Sequence, residues 1–205
     1  VNNLQKKQKA LHFILISSLA AAGPATANQK KDEDDIDFPV SMYGRSKKLA
    51  EEKLYQLAPH SWTTSIIRPP MVIGPRDTAV LDIFKMVKNG VVLLPGMDSL
   101  SKNYSFVCVF DLVETIVRTL EQNKPNFLYS SHPQVITFHE LILEFKKQMK
   151  KKWILYFPLP FFFIRLIALM LSFIHKIFPH KMRLTPDKCH ELKARSWICD
   201  GSKSE

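Results

Sequence analysis

Short apolar runs alternate with amphipathic segments along most of the chain. Runs with the length and the β-branched or aromatic composition of buried strands cover residues 12–16, 63–67, 104–109 and 126–130. Helical periodicity, bounded by capping residues and by proline or glycine, covers residues 43–57, 80–88, 111–122 and 137–150. This sustained alternation of strand and helix favours a parallel sheet built from βαβ units over a helix bundle.

Two details of the predicted helices are specific enough to compare with a structure. Leu49, Leu54 and Leu57 are predicted to face inward from the first helix. Asp111 is predicted to cap the N-terminus of the third helix, because a carboxylate can accept hydrogen bonds from the free backbone N–H groups there. Both details concern which side of a helix meets the core and where the helix begins.

The first of two strongly apolar stretches imitates a secretory signal. Residues 10–22 follow three closely spaced lysines and precede an Ala-x-Ala sequence at 25–27. A secreted protein with a cleaved leader is therefore one interpretation. His12 and the Ser17-Ser18 pair inside the run favour another interpretation, a buried parallel strand that ends in serine.

The second apolar stretch, residues 153–179, is rich in phenylalanine, leucine and isoleucine, and is interrupted by two prolines and Arg165. A membrane span of about 20 apolar residues is reached only by burying that arginine. We expect instead a core helix of a small lobe that lines an apolar pocket. A transmembrane helix and a helix lying against a membrane surface are the alternatives, and the last would give the protein a peripheral membrane contact.

Composition narrows the class of protein. The 205 residues, 46% of them hydrophobic, suffice for one good core or for a core with a small lobe. The net charge of +10 comes from scattered lysines without a binding-motif signature, so we expect no nucleic-acid partner. The three cysteines are widely separated and lack metal-ligand spacing, so we expect neither a metal site nor a disulfide, and a cytoplasmic location.

Candidate chemistry begins with Tyr43 and Lys47, four residues apart at the start of a predicted helix. At this spacing both side chains project from one helix face, one turn apart. A phenol titrates near about 10 in water, and a nearby cation favours its deprotonated form. Lys47 is placed to be that cation, although a solvated basic helix surface would show the same pattern.

A second set of polar residues lies where two predicted strands end. Ser17 and Ser18 close the first strand, and Arg68-Pro69-Pro70 follows the second. The carboxyl ends of parallel strands meet at one edge of a sheet, which is where open α/β folds bind ligands. Because side chains alternate along a strand, only one of the two serines can face such a site. A strand-end turn and a plain proline loop would look the same in sequence.

Four segments, in order and at workable separations, carry a family pattern. They are S-S-L-A-A-A-G at 17–23, Y-G-R-S-K at 43–47, R-P-P-M-V-I-G-P at 68–75 and F-V-C-V-F-D-L-V at 106–113. Together they resemble the extended short-chain dehydrogenase/reductase family, which includes nucleotide-sugar epimerases and dehydratases, steroid dehydrogenases and dihydroflavonol reductases. The resemblance covers nearly the whole chain, and it favours the buried strand over the signal peptide.

The resemblance implies hydride transfer between a small hydroxy or keto substrate and a nicotinamide cofactor, NAD or NADP. Tyr43 would exchange a proton with the substrate, and Lys47 would favour its phenolate and bind the nicotinamide ribose. Ser18, whose distance to Gly23 matches the family pattern better than that of Ser17, would hold and polarise the substrate oxygen.

Further residues are implied in binding rather than in proton transfer. Pro69 and Val72 would pass beside the nicotinamide amide, with the Val72 backbone as the main contact. Arg76 would touch the substrate. A homodimer that packs through the Tyr43 helix is also implied by the resemblance.

The chain departs from the family pattern in three places. No two of its six glycines lie closer than six residues, so it lacks the glycine-rich turn that cradles the dinucleotide pyrophosphate. Cys108 and Phe110 stand where the family often has histidine and aspartate. Residues 90–104 lack the arginines that would clamp a sugar-nucleotide diphosphate, and with the apolar residues of 157–178 this favours an apolar or lipid-like substrate.

We therefore predict an α/β fold, the C-terminal part of a Rossmann-like parallel sheet with a small, mostly helical substrate lobe. Residues 1–75 and 104–131 are assigned to a partial nucleotide-binding domain, and residues 76–103 and 132–205 to the lobe. The predicted function is that of an NAD(P)-dependent oxidoreductase or epimerase. The alternative is a truncated, inactive relative with a binding or structural role, since the first half of a nucleotide-binding domain is not recognised in the sequence.

Overall fold

The structure, a computed structural model, describes residues 11–26, 29–177 and 185–204. In chain order its elements are β1 (Leu11–Ile16), α1 (Leu19–Ala22), α2 (Met42–Leu57), β2 (Trp62–Arg68), β3 (Met71–Ile73), α3 (Thr78–Asn89), β4 (Val91–Pro95), β5 (Asn103–Tyr104), β6 (Phe106–Cys108), α4 (Val109–Gln122), β7 (Asn126–Tyr129), β8 (Ile136–Thr137), α5 (Phe138–Gln148), β9 (Leu155–Leu159), α6 (Phe161–Ile177), α7 (Pro186–Lys193) and β10 (Ser196–Trp197).

A parallel three-stranded sheet in the order β1-β2-β7 forms the centre of the fold. Its strands are the apolar runs of the sequence, and Ile66 and Ile67 of β2 are completely buried. Helix α2 connects β1 to β2 as a crossover, and α4 precedes β7. The predicted α/β class with a Rossmann-like parallel sheet is confirmed by this topology.

Residues 11–22, which imitate the apolar part of a signal peptide, belong to this sheet. β1 pairs with β2 over its whole length, and the four residues of α1 that follow are all buried. The two short polar interruptions, His12 and the serine pair, are explained by the fold. His12 forms a 2.9 Å hydrogen bond with Ser65 of β2, and the serines lie at the end of the strand.

A second group of elements forms a lobe around the parallel pair β4 and β9. Val92 and Leu94 of β4 pack with Val87 of α3 and Ile142 of α5 in one buried cluster. Two small sheets, β3-β6 and β10-β5-β8, complete the strand pairing of the described chain. The assignment of residue ranges to a nucleotide-binding domain and a substrate lobe stays a prediction.

The predicted inward face of α2 is correct for one leucine and wrong for two. Leu54 is buried, whereas Leu49 and Leu57 are 54% and 46% exposed. The buried stripe of α2 consists instead of Gly44, Glu51 and Leu54. A charged residue therefore occupies a position that hydropathy assigned to solvent, because its partners lie inside the fold.

The predicted strand over residues 104–109 is divided in the structure. β5 pairs with β10 and β8, whereas β6 pairs with β3, so the run serves two different sheets. Helix α4 begins at Val109 with Cys108 as its N-cap, and Asp111 lies in its first turn rather than at the cap. The prediction for Asp111 is wrong by one helical turn, although its charge still complements the positive end of the helix dipole.

Residues 153–177, the part of the second apolar stretch that the structure describes, do not form the predicted core helix, and residues 178 and 179 lie outside the described residues. The first part of the stretch forms β9, an extended edge strand that tolerates Pro158. Helix α6 follows, and Ile164 and Ala168 are buried whereas Phe162 is 71% exposed. The prediction is wrong because one side of α6 alone is covered by packing. Within the described residues, no helix combines the length and the apolar character needed to cross a membrane.

Candidate active site

The two serines that end β1 have different environments. Ser17 is buried, its N–H donates to the Ile67 carbonyl at 2.8 Å, and its hydroxyl donates to Glu51. Ser18 is partly exposed and is the N-cap of α1, where its hydroxyl oxygen accepts the Ala20 N–H at 3.1 Å. Among the described residues the Ser18 hydroxyl has no acceptor for its own proton. Ser18 can therefore donate to a ligand, whereas Ser17 is committed to the protein.

Tyr43 and Lys47 lie one turn apart on α2, beside the end of β1. The Lys47 ammonium lies 5.9 Å from the centroid of the Tyr43 ring. It also donates a hydrogen bond of 3.1 Å to the carbonyl of Ile16, the last residue of β1. The Tyr43 side chain is half exposed. The structure thus brings Tyr43, Lys47 and the serine-bearing strand end together.

Gly44 lets α2 approach α1 at backbone distance. A Cβ atom at position 44 would lie 2.2 Å from the Ala20 carbonyl oxygen, which is far inside van der Waals contact. Glycine is therefore required between Tyr43 and the rest of the helix. The close approach holds the first turn of α2 directly against the segment that Ser18 caps.

The N-terminus of α2 is capped by the distant helix α7. The Asp187 carboxylate accepts the N–H groups of Met42 at 2.7 Å and Tyr43 at 3.3 Å. Ser41, the N-cap residue, accepts the Gly44 N–H at 3.0 Å and donates its hydroxyl proton to Glu191 at 2.7 Å. Two carboxylates of α7 thus satisfy the start of α2, where a helix dipole favours negative charge.

A buried cluster of charged and polar side chains lies below this surface, and we name it the Arg68 cluster. Arg68 is 1% exposed and donates to Glu51 at 2.9 and 2.6 Å and to Asp37 through two bonds of 2.7 Å. It also donates to the Tyr129 hydroxyl at 3.1 Å. Because Glu51 also accepts from Ser17, the cluster joins β1, α2, β2 and β7.

Burial and hydrogen bonding set the ionisation of the Arg68 cluster. Burial alone would raise the pKa of Asp37, but hydrogen bonds from Arg68 and Lys48 lower that pKa below its usual value. Burial disfavours the Arg68 cation, yet bonds to Glu51 and Asp37 raise the pKa of Arg68 overall. Burial raises the pKa of Tyr129. At neutral pH the cluster therefore contains a guanidinium paired with carboxylates beside an un-ionised phenol.

The remaining predicted site residues lie along the segment after β2. Pro69 is buried, and its carbonyl accepts the Leu19 N–H at 2.9 Å, which joins it to the residue after Ser18. Val72 lies in β3 opposite Val107 of β6. Arg76 is exposed and has a left-handed backbone with φ of 73°. Pro69 thus adjoins the Ser18 segment, whereas the structure records no contact between Arg76 and that segment.

Sequence reasoning missed the residues that support the site. Glu51 follows Lys47 by one turn and Tyr43 by two, and this stripe was a readable signal for a shared helix face. Asp37 and Asp187 had no such signal. They lie in a polar loop and in a distant polar segment, and only the tertiary fold brings them to Arg68 and to the start of α2.

The cysteines take no part in a metal site within the described ranges. No group of three or more His, Cys, Asp or Glu side chains is placed there to hold a metal ion. Cys199 is completely buried, and its N–H donates to the Ser105 hydroxyl at 3.0 Å. Burial raises the pKa of Cys199 to about 11, so this thiol stays protonated at neutral pH and acts as a small core residue.

Comparison with known protein families identifies the relationship that the motifs indicate. Residues 2–129 match the family described as "NAD dependent epimerase/dehydratase family". This region is more than half of the chain, and it contains the serine pair, the Tyr43 helix and Arg68. The resemblance inferred from the four sequence segments is confirmed.

Individual relatives cover less of the chain. It is 34% identical over 115 residues to UDP-glucose 4-epimerase of Vibrio cholerae, covering 55% of this chain and 35% of that protein. It is 33% identical over 81 residues to ceramide reductase of Caulobacter vibrioides, covering 40% and 20%. RMD from Pseudomonas aeruginosa complexed with NADPH superposes with a TM-score of 0.65 at 22% identity, covering 77% of this chain and 57% of that one. The chain thus spans only part of these relatives, and the last likeness shows the fold alone.

Proposed function

Because the chain belongs to the NAD dependent epimerase/dehydratase family, we propose that it supplies the proton-transfer site of a nicotinamide-dependent oxidoreductase or epimerase. The observation that carries this proposal is the position of Lys47. Its ammonium reaches the end of β1 and lies beside the Tyr43 ring at the same time. A surface turn without function would not need a lysine held between a strand end and a half-exposed phenol.

The residues present fit the nicotinamide end of NAD or NADP, which when bound donates or accepts the hydride. Lys47 has three N–H donors and gives one to Ile16, so it keeps donors for a ribose hydroxyl. Pro69 and Val72 would lie beside the nicotinamide amide. The glycine-rich turn that would hold the pyrophosphate is not among these 205 residues. The proposal for cofactor binding is therefore limited to the nicotinamide and its ribose.

Proton transfer is assigned to Tyr43 and substrate orientation to Ser18. Tyr43 gives its phenolic proton to a substrate carbonyl, or takes one from a hydroxyl, and the Lys47 cation stabilises the negative charge that develops on the phenol oxygen. Ser18 donates its unused proton to the same substrate oxygen. Arg76 is proposed as a substrate contact beyond this core, and its exposure leaves its guanidinium available.

An apolar or lipid-like hydroxy or keto compound is the proposed substrate class. Two observations support it: residues 90–104 contain no arginine for a nucleotide diphosphate, and ceramide reductase is one of the similar proteins. The similarity to UDP-glucose 4-epimerase supports a nucleotide sugar instead. Assays should therefore offer both UDP-glucose and ceramide.

Substitution of Tyr43 by phenylalanine tests the proposal in the protein encoded by the whole reading frame that contains these residues. We expect Tyr43→Phe to slow hydride transfer by about 10²- to 10⁴-fold, followed through the absorbance of the reduced nicotinamide, because the lost proton acts in the chemical step. Cofactor affinity should change little. Tyr55→Phe, an exposed phenol on the same helix, is the matched control and should keep normal turnover.

Two results would count against this assignment. Wild-type turnover in Tyr43→Phe would remove Tyr43 from the mechanism. Failure of the unsubstituted protein to bind NADH or NADPH would favour the second candidate, an inactive relative with a binding role.

A further inference from the structure

Helix α6 turns its apolar side toward solvent. Six large apolar side chains share its outer face, and each is at least 41% exposed: Phe162, Phe163, Leu166, Ile167, Leu169 and Met170. The opposite face carries the buried residues Ile164 and Ala168, which pack near Cys189 of α7. A surface helix normally presents its apolar stripe to the core. The outer face of α6 therefore has no apolar partner among the described residues.

The sheet β4-β9 exposes a second apolar surface next to α6 in the chain. Val91 is registered opposite Leu155, and Leu93 opposite Phe157. These four side chains are 39% to 57% exposed, whereas the alternate residues Val92 and Leu94 are buried in the lobe. One residue, Pro160, separates β9 from α6. Exposed apolar patches on soluble proteins mark interaction sites when they are larger than scattered single residues.

A cation cluster and an exposed tryptophan precede β9. Lys150, Lys151 and Lys152 are exposed, and none forms an ion pair with another described residue. The positions of Lys146 and Lys147 are explained by the helix itself, because cations stabilise the C-terminal turn of α5. Lys150, Lys151 and Lys152 lie beyond that helix and have no such explanation. Trp153 is 68% exposed, and its ring lies against Gly90, at the start of β4.

We propose that the lobe docks onto the surface of an anionic lipid bilayer through the outer faces of α6 and β4-β9 and through Lys150–Lys152. Apolar and aromatic side chains would enter the boundary between headgroups and acyl chains, as interfacial helices do. Tryptophan is suited to this boundary because it has an apolar ring and one N–H donor. The unpaired lysines would contact anionic headgroups, which fits the net charge of +10.

Charge favours a bilayer over a second copy of the chain as the occupant. A symmetric contact between two copies would place the same cation cluster on both sides of the interface without carboxylates to pair it. An anionic bilayer offers negative charge to the lysines and an apolar layer to the exposed apolar side chains. The contact would be peripheral, since α6 does not meet the length and hydropathy of a span.

Vesicle binding of the 205-residue chain tests the proposal without any enzymatic turnover. We expect co-sedimentation with vesicles of phosphatidylcholine and phosphatidylserine, and weaker binding to phosphatidylcholine alone. Phe157→Ser/Phe162→Ser should lower the partition coefficient at least tenfold on both. Lys150→Gln/Lys151→Gln/Lys152→Gln should lower it by about fivefold per lysine on the anionic vesicles only.

A matched control removes the same kind of side chain from another surface. Val113→Ser/Val117→Ser on α4 removes two apolar side chains of 52% and 46% exposure, and vesicle binding should be unchanged. Circular dichroism of each variant establishes that it is folded. In brominated lipids, tryptophan fluorescence should be quenched in the unsubstituted chain and much less in Trp153→Phe, since Trp62 is buried and Trp197 packs partly buried against the core.

Three results would overturn the proposal. One is the absence of binding to either kind of vesicle. Another is an equal loss of binding in the α4 control. The last is a dimer, detected by light scattering, that Phe157→Ser/Phe162→Ser dissociates while no vesicle binding occurs, because this would assign the apolar faces to a second copy.

Discussion

The two longest helices of the described chain bury opposite kinds of side chain. Helix α2 buries a glutamate and a glycine with a single leucine, Leu54, and leaves Leu49 and Leu57 exposed. Helix α6 buries Ile164 and Ala168 and leaves Phe162 and Phe163 exposed. Hydropathy alone would have reversed the two, with α6 in the core and α2 on the surface.

The difference reflects what each helix must do. Helix α2 carries Tyr43 and Lys47, and it is held by directional bonds: from Lys47 to the Ile16 carbonyl, from its first N–H groups to Asp187, and from Arg68 to Glu51. Such bonds fix rotation and translation of a helix, whereas apolar contact is non-directional and tolerates sliding. A helix that positions reacting groups benefits from directional hydrogen bonds. A helix that docks onto a fluid bilayer, as we propose for α6, needs only apolar contact.

The largest effect is expected where the polar support of α2 is broken. Arg68→Leu removes the guanidinium that Glu51 and Asp37 share and leaves them only Ser17 and Lys48 as partners, and removing one member of a buried pair costs about 3–5 kcal/mol. Urea denaturation should show this loss in the free energy of unfolding. The control Arg118→Leu removes an exposed pair with Glu114 and should cost at most about 1 kcal/mol. Equal losses in the two variants would mean that α2 does not depend on the Arg68 cluster.

A smaller, pH-dependent effect is expected at Asp37. Its pKa in the folded protein is lower than the unfolded value of 3.8, so its ion pairs stabilise the fold fully above that pH. The contribution is lost as the pH falls through the lower, folded-state pKa. Asp37→Asn should lose about 2 kcal/mol at neutral pH, because a hydrogen bond to a charged group is weakened. Its stability should then fall less steeply than that of the unsubstituted protein below pH 4.

Parallel denaturation curves at pH 7 and in acid would measure this difference. If the two proteins lost stability in parallel down to low pH, Asp37 would not be ionised and paired in the way that the structure shows.

The smallest effect is expected on the outer face of α6. Phe162→Ser should change the free energy of unfolding by no more than about 0.5 kcal/mol, because that ring is mostly in solvent already. Ile164→Ser, two residues away on the buried face, should cost about 3 kcal/mol. Thermal unfolding of both variants measures the contrast. A large loss in Phe162→Ser would show that the outer face is packed and would weaken the contrast with α2.

Features that depend on residues close together in the sequence could be predicted from the sequence. The spacing of Tyr43 and Lys47 placed them one turn apart, and the structure shows the ammonium beside the ring. At the start of the helix predicted over residues 137–150, Thr137 and Glu140 have the three-residue spacing of a capping box, and the structure shows both of its hydrogen bonds. The parallel strands were readable because burial on both faces requires unbroken apolar runs.

Features that depend on distant partners could not be predicted in this way. Arg68 was visible only as part of a loop motif, because Asp37 and Glu51 lie 31 and 17 residues away. The exposure of α6 was also unreadable, since an apolar segment does not reveal whether anything covers it. Ser18 was chosen over Ser17 as the substrate-binding serine because of its distance to Gly23. The structure shows in addition that the Ser18 hydroxyl proton has no acceptor among the described residues, and the part of Ser18 in catalysis stays a prediction.

The capping of α2 by α7 has a consequence for how the molecule is made. Asp187 lies 145 residues after Met42, whose N–H it accepts, so a chain emerging from the ribosome forms α2 with Ser41 as its N-cap long before the Asp187 carboxylate has been synthesised. Contacts of such sequence separation are slow to form because a long loop must close first. The geometry around Tyr43 is therefore complete only after residues 185–193 have been synthesised and have folded back, and in a nascent chain stalled before them the N–H groups of Met42 and Tyr43 would lack this acceptor.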